Sequence, residues 1–167
     1  PLYSSAASDV YKRQNLHSED GRVVPVLLRV TPGIRAETHE FISTGQEDSK
    51  FGFGIKSGAA SAAVDRANAS NAINLVGIHS HIGSQVFRIE SFDKALVVVS
   101  NFFKALNLPE LSIGGGLGVA YVEDDIAASI SDWGAQTKDT CARLGITDVR
   151  ILAEPGRAIA AQAAITA

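Results

Sequence analysis

The chain has 167 residues, and its 15 Lys and Arg against 18 Asp and Glu give a formal net charge of −3. That balance indicates neither a nucleic-acid-binding surface nor a charged disordered tail, and the single cysteine excludes an intramolecular disulfide framework. No apolar run reaches the roughly 20 residues that a membrane helix needs. We therefore expect a cytoplasmic protein that binds neither nucleic acid nor a membrane.

The first 21 residues differ from the rest of the chain. Residues 1–14 are polar, rich in small side chains and without sustained periodicity, and the whole chain contains no methionine. We expect residues 1–21 to be a disordered leader or non-native segment of a truncated reading frame. Residues 22–167 are then expected to form one partial domain.

From residue 22 onward, short apolar runs alternate with helical patterns. We predict five strands, at residues 23–30, 51–55, 75–79, 110–113 and 149–153. We predict helices at residues 57–70, from an N-cap at Ser91, and along an apolar stripe from Ile126 to Leu144 that stops at Gly145. Strands that alternate with helices imply parallel βαβ units. Because a complete (β/α)₈ barrel takes about 250 residues, the chain fits a doubly wound sheet or a partial barrel.

Three residue clusters follow predicted strands, at the end where barrels and open α/β sheets build their sites. The first contains His79, His81 and Ser84. A histidine there can stack on an aromatic cofactor or act as an acid or base, and the serine can donate a hydroxyl to a phosphate. The alternatives are two structural histidines, or a zinc site with His39, which lacks a further ligand at helpful spacing.

The second cluster is rich in glycine, at Gly114, Gly115, Gly116 and Gly118. Without side chains in the way, backbone N–H groups there can converge on an anion such as phosphate. A tight turn with no ligand is the alternative interpretation.

The third cluster is the sequence Glu154-Pro155-Gly156-Arg157. The carboxylate can hold a proton on a heterocyclic nitrogen, and the guanidinium is suited to a phosphate or carboxylate. The alternative is a local ion pair at a surface turn.

Two further residues stand out because of their surroundings. Arg29 lies within an apolar strand, and a buried arginine needs a partner, so we expect an inward-facing contact with an anion. Cys141 lies on the apolar stripe of its helix, which favours an inert core thiol over a nucleophile.

In order and spacing, these segments resemble the diaminopimelate decarboxylases, which belong to the fold-type III, alanine-racemase-like group of pyridoxal-phosphate enzymes. The resemblance covers residues 22–165 and rests on RVTPG from Arg29, HSHIGSQ from His79, GGGLG from Gly114 and EPGR from Glu154. Ornithine and arginine decarboxylases share the last three motifs in looser form, whereas the segment from THE to KFGF points to diaminopimelate. The resemblance implies an α/β fold, with about five of the eight strands of a (β/α)₈ barrel.

The resemblance also implies pyridoxal 5'-phosphate as the cofactor, an amino-acid substrate and no metal. His81 matches the histidine that stacks on the pyridine ring, and Glu154 matches the carboxylate that pairs with the ring nitrogen, so these two are the expected catalytic residues. The other expected cofactor-binding residues are Arg29, Ser84, Gly114, Gly115, Gly116, Pro155, Gly156 and Arg157, of which Arg157 also contacts the substrate.

Two parts of the family's catalytic machinery have no match in this chain. The Schiff-base lysine of the family lies upstream of residue 22, and Lys50 and Lys56 do not match it. The cysteine that acts as general acid lies downstream of Ala167, and Cys141 does not match it. We therefore expect this polypeptide to be inactive alone.

We expect the full-length enzyme to be a homodimer that makes L-lysine and CO₂ from meso-diaminopimelate. One alternative is a decarboxylase of the same fold that acts on ornithine, arginine or carboxynorspermidine. The others are a non-enzymatic pyridoxal-phosphate carrier, and a phosphate-binding barrel that needs no pyridoxal.

Overall fold

A computed structural model of the chain describes residues 17–34, 51–121 and 125–163. None of the helices in these ranges is long and apolar enough to cross a membrane. The elements, in chain order, are β1 (Val24–Thr31), β2 (Phe53–Gly54), α1 (Ala59–Asn68), β3 (Ile73–Ser80), α2 (Ile89–Lys104), β4 (Glu110–Gly115), α3 (Ile130–Arg143), β5 (Arg150–Glu154), α4 (Gly156–Ala160) and a 3₁₀ turn (Ala161–Ala163).

All five strands belong to one parallel sheet with the order β2-β1-β3-β4-β5, which confirms the predicted α/β class. Arg29 on β1 pairs with His79 on β3, and His79 pairs with Ser112 on β4. Partners in a ladder point to the same side of the sheet, and side chains alternate along each strand. Arg29, His79 and Ser112 therefore form one row of polar side chains on one face.

The hydrophobic core lies on the opposite face of the sheet, between the strands and the helices. Each central strand contributes one fully buried aliphatic side chain, and α2 packs an apolar stripe on them. Cys141 on α3 belongs to this core, and burial raises the pKa of its thiol, as expected for an inert core cysteine. The principal members are Val30, Ile78, Leu96, Val99, Phe103 and Leu111.

The start of α2 differs from the prediction. Ser91 is not its N-cap, because the helix begins at Ile89 and Arg88 occupies the cap position without a side-chain hydrogen bond. Ser91 is instead buried in the first turn. The sequence suggested Ser91 because serine is a frequent cap, but the helix begins three residues earlier than that cap would allow.

The start of α3 also differs from the prediction. Ile126 lies outside the helix and is 90% exposed, so it is not part of the apolar stripe. The helix begins after Ser129, whose hydroxyl accepts a hydrogen bond from the Asp132 N–H while the Asp132 carboxylate accepts one from the Ser129 N–H. This capping box fixes the helix start. At the other end Gly145 has φ +67°, which confirms it as the stop.

Most of the expected leader, residues 1–16, lies outside the described residues. Residues 17–20 form one helical turn, which the Gly21 N–H closes by donating to the carbonyl of His17 at 2.8 Å. The leader interpretation of residues 1–21 therefore stays a prediction.

Candidate functional site

The three clusters singled out in the sequence meet at the carboxyl ends of β3, β4 and β5. The Gly115 N–H donates a hydrogen bond to His81 Nδ1 at 3.2 Å. Gly115 is also the ladder partner of Glu154. One residue of the glycine cluster thus contacts both the histidine cluster and the Glu154 turn.

A bulge in β4 shapes this meeting point. Ser112 pairs with Leu152 while Gly115 pairs with Glu154, so three steps along β4 match two along β5. Ser112 Oγ donates to Glu154 Oε1 at 2.8 Å and accepts from the Gly114 N–H at 3.2 Å. Gly114 has φ +68°, a conformation that glycine adopts readily. The bulge therefore places a buried hydroxyl against the carboxylate.

The glycine triplet is required by packing as well as by any ligand. A Cβ on Gly115 would lie 1.9 Å from the carbonyl oxygen of Glu154, and one on Gly116 would lie 1.8 Å from that of Gly83. The N–H groups of Gly114 and Gly115 already donate to Ser112 Oγ and His81 Nδ1. The sequence indicated a phosphate loop or a tight turn at the triplet, but neither interpretation included these two hydrogen bonds.

The loops after β3 and β4 are joined by backbone and side-chain hydrogen bonds. The Val86 N–H donates to the carbonyl of Gly116 at 2.9 Å. The Gln85 side chain donates to the Val119 carbonyl at 3.2 Å and accepts from the Val119 N–H at 3.0 Å, as a strand partner would. A Cβ on Gly116 would also lie 3.5 Å from the Cα of Ser84. Ser84 and the glycine triplet therefore line the same part of the site.

His79 is the site residue whose role sequence reasoning missed. Its Nε2 lies 3.2 Å from Glu154 Oε1 and 3.4 Å from Oε2. A signal was present in the alternation of β3, which puts His79 on the face opposite the buried Ile78, while His81 follows directly after the end of the strand. Its partner could not be predicted, because Glu154 lies two strands away in the sheet.

The surroundings of Glu154 keep its carboxylate ionised. Burial raises the pKa of Glu154, but the hydrogen bond from Ser112 and the imidazole of His79 lower it by more, so it lies below its usual value. Burial lowers the pKa values of His79 and His81, and the charge of Arg29 lowers them further, against the opposing charge of Glu154. At neutral pH a carboxylate therefore faces two neutral imidazoles.

The charge of Glu154 also acts on Arg29. Burial lowers the pKa of its guanidinium, and the charge of Glu154 opposes that effect. The guanidinium carbon lies 5.0 Å from the centre of the Phe51 ring, within the range of a cation–π contact. Arg29 is thus a cation on the row that contains His79 and Ser112, and its expected contact with an anion stays a prediction.

The two ends of the EPGR segment separate in space. Glu154 ends β5, whereas Arg157 is exposed on α4 and donates to the Tyr121 hydroxyl at 2.6 Å. Between them, Pro155 occupies the N-cap of α4 and Gly156 begins it. A Cβ on Gly156 would meet no atom within 4 Å. The protein leaves open space beside Arg157.

A zinc interpretation of the histidines gains no support from these contacts. The His79 and His81 nitrogens described above face Glu154 and Gly115, and His39 lies outside the described residues. Within the described part of the chain, no three His, Cys, Asp or Glu side chains group as metal ligands would.

Comparison with protein families and curated proteins gives one consistent result. Residues 5–161 match a family model described as the pyridoxal-binding domain of the pyridoxal-dependent decarboxylases. The diaminopimelate decarboxylase of Mycobacterium tuberculosis H37Rv is 39% identical over 173 residues, which cover 95% of this chain. That of Corynebacterium efficiens is 44% identical over 158 residues, which cover 88% of the chain.

A solved structure is similar as well. The diaminopimelate decarboxylase of Helicobacter pylori, complexed with L-lysine, superimposes with a TM-score of 0.77 at 30% identity and covers 89% of this chain. The chain corresponds to 38% of that structure, and to 39% and 34% of the mycobacterial and corynebacterial proteins. It therefore spans about two fifths of the length of these relatives.

Proposed function

Because the chain belongs to the family of pyridoxal-dependent decarboxylases through their pyridoxal-binding domain, we propose that it forms the cofactor-holding part of a diaminopimelate decarboxylase. The observation that carries the proposal is the convergence at Gly115, whose N–H donates to His81 and whose ladder partner is Glu154. The expected ring-stacking His81, the phosphate-binding triplet Gly114–Gly116 and the nitrogen-pairing Glu154 are therefore adjacent.

The residues present fit pyridoxal 5'-phosphate. Glu154 is held ionised and is half exposed, so it is free to accept a hydrogen bond from a protonated ring nitrogen. His81 is neutral, which suits an imidazole that lies against an aromatic ring. At the other end, the open space at Gly156 beside the Arg157 cation fits a phosphate group.

The tasks of cofactor binding are then divided among these residues. When bound, pyridoxal phosphate supplies a sink for the electron pair released as the α-carboxylate leaves as CO₂. Glu154 holds a proton at the ring nitrogen, and His81 holds the ring in place. Arg29 contributes a positive charge near the ring. Ser84, the triplet Gly114–Gly116 and the segment Pro155–Arg157 hold the phosphate, and Arg157 also contacts the substrate.

We assign meso-2,6-diaminopimelate as the substrate. One of its carboxylates leaves as CO₂ and a proton takes its place, which gives L-lysine. The assignment is supported by the 39–44% identity to diaminopimelate decarboxylases and by the solved relative that holds L-lysine. The chain spans about two fifths of those relatives, so the activity is assigned to the full-length enzyme, and in this proposal the 167-residue polypeptide alone is inactive.

The proposal extends to assembly and location. We assign the full-length enzyme to a cytoplasmic homodimer, since the decarboxylases that the chain resembles build their active site across a dimer interface. The side chain of Glu154 is 53% exposed, which leaves room for further parts of such a site. Light scattering of the full-length enzyme that gives the mass of one subunit would contradict this assignment.

The test is a substrate comparison in the full-length enzyme loaded with pyridoxal phosphate. CO₂ release and amino-acid product are measured with meso-diaminopimelate, ornithine, arginine and carboxynorspermidine, with the 167-residue chain in parallel. We expect L-lysine from diaminopimelate, at least about 100-fold lower kcat/KM for the others, and no turnover by the short chain. Preference for another amino acid would overturn the assigned substrate, and absence of pyridoxal-phosphate binding would overturn the proposed function.

A further inference from the structure

We propose that His79 is a positioning residue, which fixes the orientation of the Glu154 carboxylate so that it can face the ring nitrogen of the cofactor. This inference rests on the proposed function, because it concerns the partner of that nitrogen. None of the roles implied by the family resemblance includes His79. The geometry alone brings it to Glu154, with Nε2 at 3.2 Å and 3.4 Å from the two carboxylate oxygens.

The contact exists because the residue between the two side chains is small. His79 lies on β3 and Glu154 on β5, so their side chains meet across β4. The residue of β4 in register with His79 is Ser112, which is fully buried and itself donates to Glu154 Oε1 at 2.8 Å. A larger side chain at position 112 would stand between the imidazole and the carboxylate.

Glu154 needs such support because of its position. It is the last residue of β5, its side chain is 53% exposed, and a glutamate has several rotatable bonds. The His79 side chain is only 16% exposed and is held within the polar row of the sheet. A largely buried imidazole and a fully buried hydroxyl therefore anchor a carboxylate that would otherwise sample many orientations.

The charges around His79 determine what it donates. Facing it are the Arg29 guanidinium from β1, the His81 imidazole from the loop after β3 and the Glu154 carboxylate from β5. Burial and the Arg29 charge hold the pKa of His79 below its ordinary value, so it is neutral at neutral pH. A neutral ring that donates from Nε2 orients the carboxylate without cancelling its charge, which stays available to a protonated ring nitrogen.

A binding experiment isolates this role from turnover. The cofactor is removed from the full-length enzyme, and dissociation constants are measured for pyridoxal phosphate and for the analogue whose ring nitrogen is replaced by carbon. The ratio of the analogue's dissociation constant to that of pyridoxal phosphate reports only what the protein does at the ring nitrogen. In His79→Ala we expect the ratio to fall about fivefold toward the value of Glu154→Gln, and in His79→Gln, whose amide N–H can also donate, to stay within about twofold of the parent.

The control is Ser80→Ala, on the next residue of β3. Ser80 is buried on the opposite face, and its hydroxyl has no hydrogen-bond partner among the described residues. We expect this variant to keep the parent ratio. A role of His79 limited to packing would weaken both ligands equally and leave the ratio unchanged, which would overturn the inference.

A double-mutant cycle in kcat gives the second readout. If His79 acts through Glu154, His79→Ala lowers kcat about tenfold in the parent and by less than about twofold in the Glu154→Gln background. Equal losses in both backgrounds would overturn the inference while leaving the proposed function intact. A parent enzyme that binds no pyridoxal phosphate would instead overturn the proposed function.

Discussion

Gly115 and Glu154 face each other across the β4–β5 ladder so closely that a Cβ on Gly115 would lie 1.9 Å from the Glu154 carbonyl oxygen. The same glycine donates its N–H to His81 Nδ1. The contact between the glycine triplet and Glu154 therefore requires that residue 115 has no side chain.

Gly115→Ala should consequently disrupt both the fold and the site. The clash is with backbone that is itself in a ladder, so neither side can move cheaply, and we expect a loss of about 2–3 kcal/mol in the free energy of unfolding. Urea denaturation of the chain measures it. Gly134→Ala is the matched control, because a Cβ at Gly134 in α3 meets nothing within 4 Å. That change should stabilise the chain by about 0.5–1 kcal/mol, and equal effects of the two would contradict the packing role.

Ser112→Ala should cost more stability than its burial suggests. It removes the hydroxyl that donates to Glu154 and that accepts from the buried Gly114 N–H, which leaves that N–H unpaired. We expect a loss of about 1–3 kcal/mol in the free energy of unfolding. Ser100→Ala is the control, since Ser100 is equally buried but donates to a helix carbonyl, that of Val97. We expect it to cost less than about 1 kcal/mol, and the reverse order of the two would contradict the account.

Glu154→Gln should separate turnover from cofactor retention in the full-length enzyme. Glutamine keeps the shape but loses the charge that holds a proton at the ring nitrogen. We expect kcat to fall by roughly 100-fold or more, whereas the dissociation constant of pyridoxal phosphate rises by less than about tenfold. Steady-state kinetics and a cofactor titration measure the two quantities. Equal losses in both would indicate that Glu154 is only structural.

The stability of the chain should fall on mild acidification. The pKa values of His79 and His81 lie below their ordinary value of 6.5, so the unfolded chain binds more protons than the folded chain as the pH decreases from 6.5 toward the lowered values. Glu154 acts in the same direction at lower pH, since its pKa is lowered from 4.5 and its stabilisation is lost as the pH falls through the folded value. Urea midpoints between pH 7.5 and pH 4 measure this slope.

The variant that tests this prediction is the double substitution His79→Gln and His81→Asn. It removes both partly buried imidazoles, so the decline that begins near pH 6.5 should flatten while the decline due to Glu154 remains. An unchanged slope in the variant would mean that other groups cause the loss of stability.

The sequence predicted the strands well, because a strand buried in a parallel sheet is a short, nearly continuous apolar run. The run at residues 23–30 became β1 (Val24–Thr31), and residues 110–113 became part of β4 (Glu110–Gly115). Helix starts were less predictable. The cap at Ser91 and the start of the apolar stripe at Ile126 were wrong, since a helix start depends on side-chain hydrogen bonds and on packing that a spacing pattern does not contain.

The site was predictable in its clusters but not in its contacts. Residues after successive parallel strands meet at one edge, so the convergence of His81, Gly115 and Glu154 follows from topology. The partnership of His79 with Glu154 does not follow from the sequence, because it depends on sheet order and on a bulge between Ser112 and Gly115. A bulge changes register by one residue, and no local signal in the glycine cluster fixes its position.

The most direct test of the central claim is a crystal structure of the full-length enzyme with pyridoxal phosphate bound. We expect the Glu154 carboxylate within hydrogen-bond distance of the ring nitrogen, the His81 imidazole against the ring face, and the phosphate between Ser84, the glycine triplet and Gly156. A ring nitrogen that faces another group, or a cofactor bound away from these three strand ends, would contradict it.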